Sequence, residues 1–317
     1  MKKQKEIDYI CFELITAYSA LKREILILFF SDNIKGALIM SASMLAFVFN
    51  DGLMKILFED WSIYQAIFLR GILTIPIMLL FAWKAGHLFI ALSPSDWKLI
   101  LIRSGAEVGA AIFFLSALAH MPLANVTAIL QVLPLAVTLG AAIFLRENVT
   151  WRRWLAIFIG FVGVIIIVRP GLEGFSIYSL SALGAVVCVT IRDLTTSRLS
   201  SKAPSILVAL ISGIAMALLG AIMLPTVHWA PVNGSQFSIL IITAIAIIFG
   251  LLFSVMAMRY GEASYIAPFR YTAMLWAIVI GVLLFDDWPD QLTLLGTIII
   301  VASGIYSFHR ERLRRHL

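Results

Sequence analysis

Charge is scarce in this 317-residue chain: 13% of its residues are charged, while 61% are apolar. Soluble domains carry about a quarter charged residues, and a soluble fold with this composition would expose apolar patches that aggregate. The shortage excludes a soluble enzyme, a nucleic-acid-binding domain and a disordered scaffold, so no nucleic-acid partner is expected. Cysteine is scarcer still. Cys11 and Cys188 are the only two, too few for a disulfide framework or a cysteine-based metal site, and no metal or cofactor is implied. His87, His120, His228, His309 and His316 all fall in loops or tails, which leaves no histidine proton relay inside a membrane. The apolar run after Lys2, Lys3 and Lys5 is broken by Glu6, Asp8 and Glu13. That is not the order expected of a cleavable signal peptide, so the internal spans are expected to drive insertion.

Long apolar runs are what the chain has in abundance. A helix needs roughly 20 apolar residues to cross the hydrocarbon core. Ten stretches qualify: 34–54, 62–83, 97–118, 123–145, 151–168, 178–197, 205–224, 237–258, 264–285 and 290–308. They lack strand-like alternation, which favours helices over a β-barrel. The expected fold is therefore an all-α integral membrane protein of ten transmembrane helices, with short connections punctuated by Pro94, Pro122, Pro170, Pro204, Pro231 and Pro289. Residues 1–33 read as an in-plane interfacial helix on the cytoplasmic side, an eleventh span or a loose tail being the alternatives. Residues 309–317 form a basic cytoplasmic tail.

The net charge of +6 is explained by position. With both termini in the cytoplasm, nineteen of the 24 Lys and Arg lie on the cytoplasmic side and only Lys55 and Arg169 outside. The positive-inside rule then predicts an N-in/C-in protein of the cell inner membrane, with membrane lipids as its surroundings. Trp61, Trp83, Trp97, Trp151, Trp154, Trp229 and Trp288 fall at span ends, where amphipathic rings prefer the interface, and Trp276 alone falls mid-span.

The two halves echo each other. Ala119-His-Met-Pro-Leu-Ala124 opens the fourth span and Met258-Arg-Tyr-Gly-Glu-Ala263 the ninth. Leu145-Arg-Glu147 and Phe285-Asp-Asp287 close those same spans, and Asn50-Asp51 on the first span matches Arg192-Asp193 on the sixth. Five spans per half is an odd number, so the repeats enter the membrane from opposite sides. Inverted repeats of this kind are typical of transporters with a midplane substrate site.

These segments resemble the drug/metabolite transporter superfamily, in its EamA-type ten-helix branch. The resemblance is carried by Leu118-Ala-His-Met-Pro-Leu-Ala-Asn-Val-Thr127, Phe144-Leu-Arg-Glu147, Trp151-Arg-Arg-Trp154, Gly160-Phe-Val-Gly163 and Val168-Arg-Pro-Gly171. In the second half it rests on Tyr265-Ile-Ala-Pro-Phe-Arg-Tyr271 and on Leu295-Gly296 through Gly304. It implies two EamA repeats, at 34–171 and 172–308, around a central cavity lined mainly by the first, third, fourth, sixth, eighth and ninth helices. It also implies alternating access with metabolites or amino acids as cargo. Within that branch the Asn50-Asp51 and Arg192-Asp193 pairs look most like alphaproteobacterial members assigned to S-adenosylmethionine or riboflavin uptake.

The few polar groups inside the spans are the candidates for function, because a charge at membrane depth costs at least about 2.5–3.5 kcal/mol. Arg103 and Glu107 share one face of the third helix at i and i+4. Glu107 is the candidate for a cargo amine or a coupling proton, with a purely structural ion pair as the alternative. Arg270 follows Pro268 among Tyr265, Phe269, Tyr271 and Trp276, a setting that can clamp a carboxylate while the rings stack on a planar group. Gln131, followed by Pro134, is its counterpart in the first repeat. The alternative is an Arg270 that snorkels to the interface. Asp51, Arg192 and Asp193 are candidate gates, or helix-terminating salt bridges with Lys55 and Arg198 as partners. Arg70 reads as structural. The expected function is secondary transport of a small polar metabolite (an amino acid or derivative, S-adenosylmethionine-like or riboflavin-like) and not an enzyme. An intramembrane enzyme acting on a lipid-linked substrate is the other class considered. Proton coupling and a homodimer stay open.

Overall fold

A computed structural model of the chain describes residues 32–88, 90–144, 146, 150–170, 175–200, 202–260 and 266–315. The interfacial helix expected for residues 1–33 thus lies almost wholly outside the described residues, as do Tyr265, Glu147 and the end of the tail. The helices are α1 Asp32–Leu57, α2 Ile63–Lys84, α3 Pro94–His120, α4 Leu123–Leu130, α5 Leu133–Phe144, α6 Trp151–Val168, α7 Ile177–Ser197, α8 Ser205–Met223, α9 Gly234–Tyr260, α10 Thr272–Phe285 and α11 Gln291–Arg315. Together α4 and α5 make the fourth span. A 3-10 turn at Ala267–Tyr271 leads into α10, and the two make the ninth. Among the described residues, ten segments are long and apolar enough to cross a membrane, so the chain is a multi-pass membrane protein.

Local sequence explains where the helices start and stop. Ser62, Ser93 and Ser176 accept hydrogen bonds from the backbone N–H groups of Gln65, Asp96 and Tyr178, satisfying donors that a helix N-terminus leaves free. Pro94, whose missing N–H costs nothing at the first position, opens α3. Arg169 and Asp286 end α6 and the ninth span in the left-handed region, at φ 51° and 53°.

Two departures from the sequence reading matter. The fourth span, expected to be one continuous helix over 123–145, breaks at Gln131 and Val132. Pro134 withdraws the N–H that would bond the carbonyl of Leu130 and crowds that carbonyl, so the helix restarts. The first span, expected to end at 54, runs on to Leu57, so Asn50-Asp51 lies further inside it than expected, while α7 ends at Ser197 as expected.

Packing shows the two-fold relation between the repeats. The first span packs against the eighth and the third against the sixth, which is the same pair under exchange of halves. The second packs on the seventh and the fifth on the tenth. Gly163 and Gly296 let the fifth and tenth spans approach closely: a methyl at either position would sit 2.8 or 2.6 Å from the other's carbonyl oxygen. Ala124, Ile129, Val132, Leu135, Ala182 and Ile300 belong to a core joining the fourth, fifth, sixth and tenth spans. Phe158, Ile222 and Leu283 point outward, at 67%, 70% and 75% exposure, where acyl chains instead of water would cover them.

Candidate functional site

The polar groups inside the bundle gather into two networks. The larger joins α3, α7 and α8. Glu107, at the centre of α3, faces two guanidiniums: Arg103 Nη2 at 3.7 Å and Arg192 Nη1 at 3.2 Å. Arg192 also bonds Asp193 at 2.9 Å. Arg103 donates from Nε to the Thr196 hydroxyl at 2.9 Å and from Nη1 to Ser212, which in turn lies 3.2 Å from Ser104. Four charges thus alternate in sign across two helices, and the side chains of all four remain partly accessible.

The smaller network joins α1 and α2. Arg70 donates to the Asn50 side-chain oxygen at 3.2 Å, and the Asn50 amide donates to Asp51 at 3.0 Å. Arg70 therefore reaches Asp51 through a neutral amide and not directly. Lys55, considered as a partner for Asp51, is engaged elsewhere. It lies 3.7 Å from Asp287, donates to the Met121 carbonyl at 2.7 Å and sits over the Phe285 ring. Those contacts tie the ends of the first and ninth spans to the start of the fourth. Nearby, Arg169 pairs with Asp290. Burial, the largest influence on Asp290, favours its neutral form. The Thr293 N–H and Arg169 outweigh it, and hold this carboxyl below the ordinary carboxylate range.

The break in the fourth span meets the 3-10 start of the ninth. Gln131 is buried, and its side-chain amide donates to the Tyr271 carbonyl at 2.9 Å. A kinked fourth span and the 3-10 start of the ninth are thereby joined across the repeat interface. Broken helices facing each other are the usual architecture of a transporter substrate site.

The aromatic residues of the ninth span divide. Tyr271 is buried and turns its ring to the tenth span, where a methyl at Gly304 would overlap its hydroxyl. Trp276 donates to the Ser41 carbonyl at 3.2 Å and, with Phe269, packs against Met40, Met44 and Ala257 of the first and eighth spans. Tyr265 lies outside the described residues. Arg270 is exposed, and the charges close enough to act on it are Asp193 and Arg192 of the sixth span and its neighbour Tyr271. Its 3-10 turn packs on the first and tenth spans, beside the point where Gln131 bonds the Tyr271 carbonyl.

Sequence reasoning reached Arg103, Glu107, Arg192, Asp193, Arg270, Gln131 and Asp51, and the structure joins the first four in one network. It missed Asn50 as a bridge, Thr196 and Ser212 as hydroxyl partners of Arg103, and the Lys55–Asp287 pair. One signal pointed to Ser212. It stands 142 residues after Arg70, the offset that also relates Asn50 to Arg192.

Comparison with known proteins agrees with this architecture. The profile of the EamA-like transporter family matches residues 34–169 and 176–308. The chain is 24% identical over 191 residues to an S-adenosylmethionine uptake transporter of Rickettsia felis, a match that covers 60% of this chain and 65% of that protein. The chain thus spans slightly under two thirds of that relative's length. It is 25% identical over 265 residues to a riboflavin transporter of Brucella anthropi, covering 82% of this chain and 90% of the other. A crystal structure matches with a TM-score of 0.63 at 17% identity, over 88% of this chain and 98% of that one, a likeness of fold.

Proposed function

Because the chain belongs to the EamA-like transporter family, we propose that it is a secondary transporter that moves a small polar metabolite through the inner membrane by alternating access. The observation that carries this reading is the alternating charge network of Arg103, Glu107, Arg192 and Asp193, partly accessible inside an otherwise apolar bundle and next to Arg270. Charges at that depth are expensive unless they serve a water-filled path. The relatives named for S-adenosylmethionine and riboflavin uptake support an amino-acid derivative or a compound of similar size as cargo. They also favour transport over enzyme chemistry on a lipid-linked substrate.

In this reading the chamber lies between the repeats 34–171 and 172–308. Arg270, Gln131 and the Arg103–Glu107 pair contact or orient the cargo, and Phe269 and Trp276 shape its wall. Asp51, Arg192 and Asp193 mark the two approaches to it. The basic-residue asymmetry supports an N-in/C-in orientation. Under it, the end that holds Lys55 and Asp287 faces outward.

Counterflow in proteoliposomes tests the proposal, with labelled amino acids, S-adenosylmethionine and riboflavin offered in turn. Uptake of at least one cargo is expected, and Arg270→Ala and Glu107→Gln are each expected to abolish it while leaving folded protein. Normal uptake in both variants would overturn the site assignment. The same assay run with and without a proton gradient shows whether uptake is proton-coupled, and whether Glu107→Gln removes the coupling.

A further inference from the structure

Four arginines lie between the two ends of the bundle: Arg70, Arg103, Arg192 and Arg270. Arg70 bonds Asn50. Arg103 bonds Thr196 and Ser212 and forms an ion pair with Glu107, and Arg192 is shared by Glu107 and Asp193. Arg270 makes no hydrogen bond or ion pair with any described residue, although Asp193 is the acid whose field reaches it. From the seventh span inward the charges run Arg103, Glu107, Arg192, Asp193, Arg270. The signs alternate, but three are positive and two negative, and the series ends open at Arg270. A guanidinium within a span and without a partner among the described residues is costly unless water or an anion meets it. Its planar fork also fits a two-oxygen anion better than a neutral polar group.

We propose that Arg270 seats an anionic group of the cargo, which completes the alternation and makes the site selective for carboxylate- or phosphate-bearing metabolites. This rests on the transport reading above and narrows it. Among the chemistries that the relatives' names suggest, an amino-acid conjugate with a free carboxylate fits, and an uncharged flavin does not. Arg192 and Asp193 act as positioning residues, because they carry the alternation from Glu107 to the open end.

Binding is measured by thermal shift and isothermal titration on the purified full chain, with three pairs that differ mainly at one anionic group. These are S-adenosylmethionine and its methyl ester, methionine and its methyl ester, and flavin mononucleotide and riboflavin. The carboxylate pairs and the phosphate pair distinguish the two anions. In at least one pair the anionic member is expected to bind about tenfold or more tighter, the scale of one charge-assisted hydrogen-bonded contact. Arg270→Gln should erase that preference and Arg270→Lys should keep part of it, in protein whose helicity and elution volume match the parent. Equal binding within every pair, binding of neutral members alone, or a preference that survives Arg270→Gln would each overturn the subsite and leave transport standing. Silence across the whole panel, joined by absence of counterflow with the same compounds, would overturn the transport reading as well.

Discussion

Glu107 lies between two guanidiniums on different helices, accepting from Arg192 and pairing with Arg103 at 3.7 Å, so its energetics should be those of a shared partner. Charged hydrogen bonds in partly desolvated sites are worth about 1.5–3 kcal/mol each. Arg192→Gln is expected to lower stability by about that much, since it frees Glu107 on one side and Asp193 on the other. Glu107→Gln should cost a similar amount. The double variant should cost less than the sum, with a coupling energy of about 1 kcal/mol, and unfolding in detergent that shows strict additivity would refute the shared contact. Asp290 gives a second test, through pH. Its carboxyl is held below the ordinary range, so its stabilising contribution is fully present above the ordinary carboxylate value near 4 and is lost as pH falls through the depressed one. The melting temperature of the parent should therefore exceed that of Asp290→Asn at neutral pH, and the gap should close on strong acidification. A gap that is constant with pH would mean that the Arg169 pair contributes nothing.

At the scale of elements, the spans and their near ends could be read from sequence because bilayer thickness imposes a length and serines and prolines mark the turns. The repeat was legible too, since its five spans per half follow from counting. Arg103 and Glu107 could be paired at sight because the α-helix puts i and i+4 on one face. Arg192 could not be paired with Glu107, 85 residues away, before the third and sixth spans were known to pack together. The break at Gln131 was signalled by Pro134, yet apolar continuity hid it, because hydropathy has no term for a missing backbone donor. Glycines show the same limit: their identity is visible, but what they approach is not. Gly163 and Gly296 face each other's backbone, whereas Gly105 and Gly213 face open space. Gly163→Ala is expected to destabilise by about 1–3 kcal/mol, because a backbone carbonyl cannot swing aside. Gly213→Ala should be neutral, or stabilising by up to about 1 kcal/mol through helix propensity. Equal melting shifts for the two would refute the close crossing of the fifth and tenth spans.

For the whole molecule, the inverted repeat sets one end of the bundle against the other. The end that carries Lys55 is heavily tied. Lys55 spans to Asp287 and Met121, Arg169 holds Asp290, Gln65 exchanges two hydrogen bonds with Ala230, and Gln236 donates to Asp60 at 2.6 Å. Together these link the first, second, fifth, eighth, ninth and tenth spans. In an alternating-access cycle this end must open. The first and ninth spans are then the moving pair, because Lys55–Asp287 is the tie between them that lies beside the fourth-span start. Replacing Lys55 and Asp287 by cysteine, with Cys11 and Cys188 changed to serine, allows the two positions to be joined by a short bis-methanethiosulfonate reagent. Counterflow should fall to the liposome background on linking and recover on reduction, while either single cysteine variant treated alike should keep its uptake. Transport that continues through the linked protein would mean that this end stays closed throughout the cycle, and that cargo leaves by a route other than the gap between the first and ninth spans.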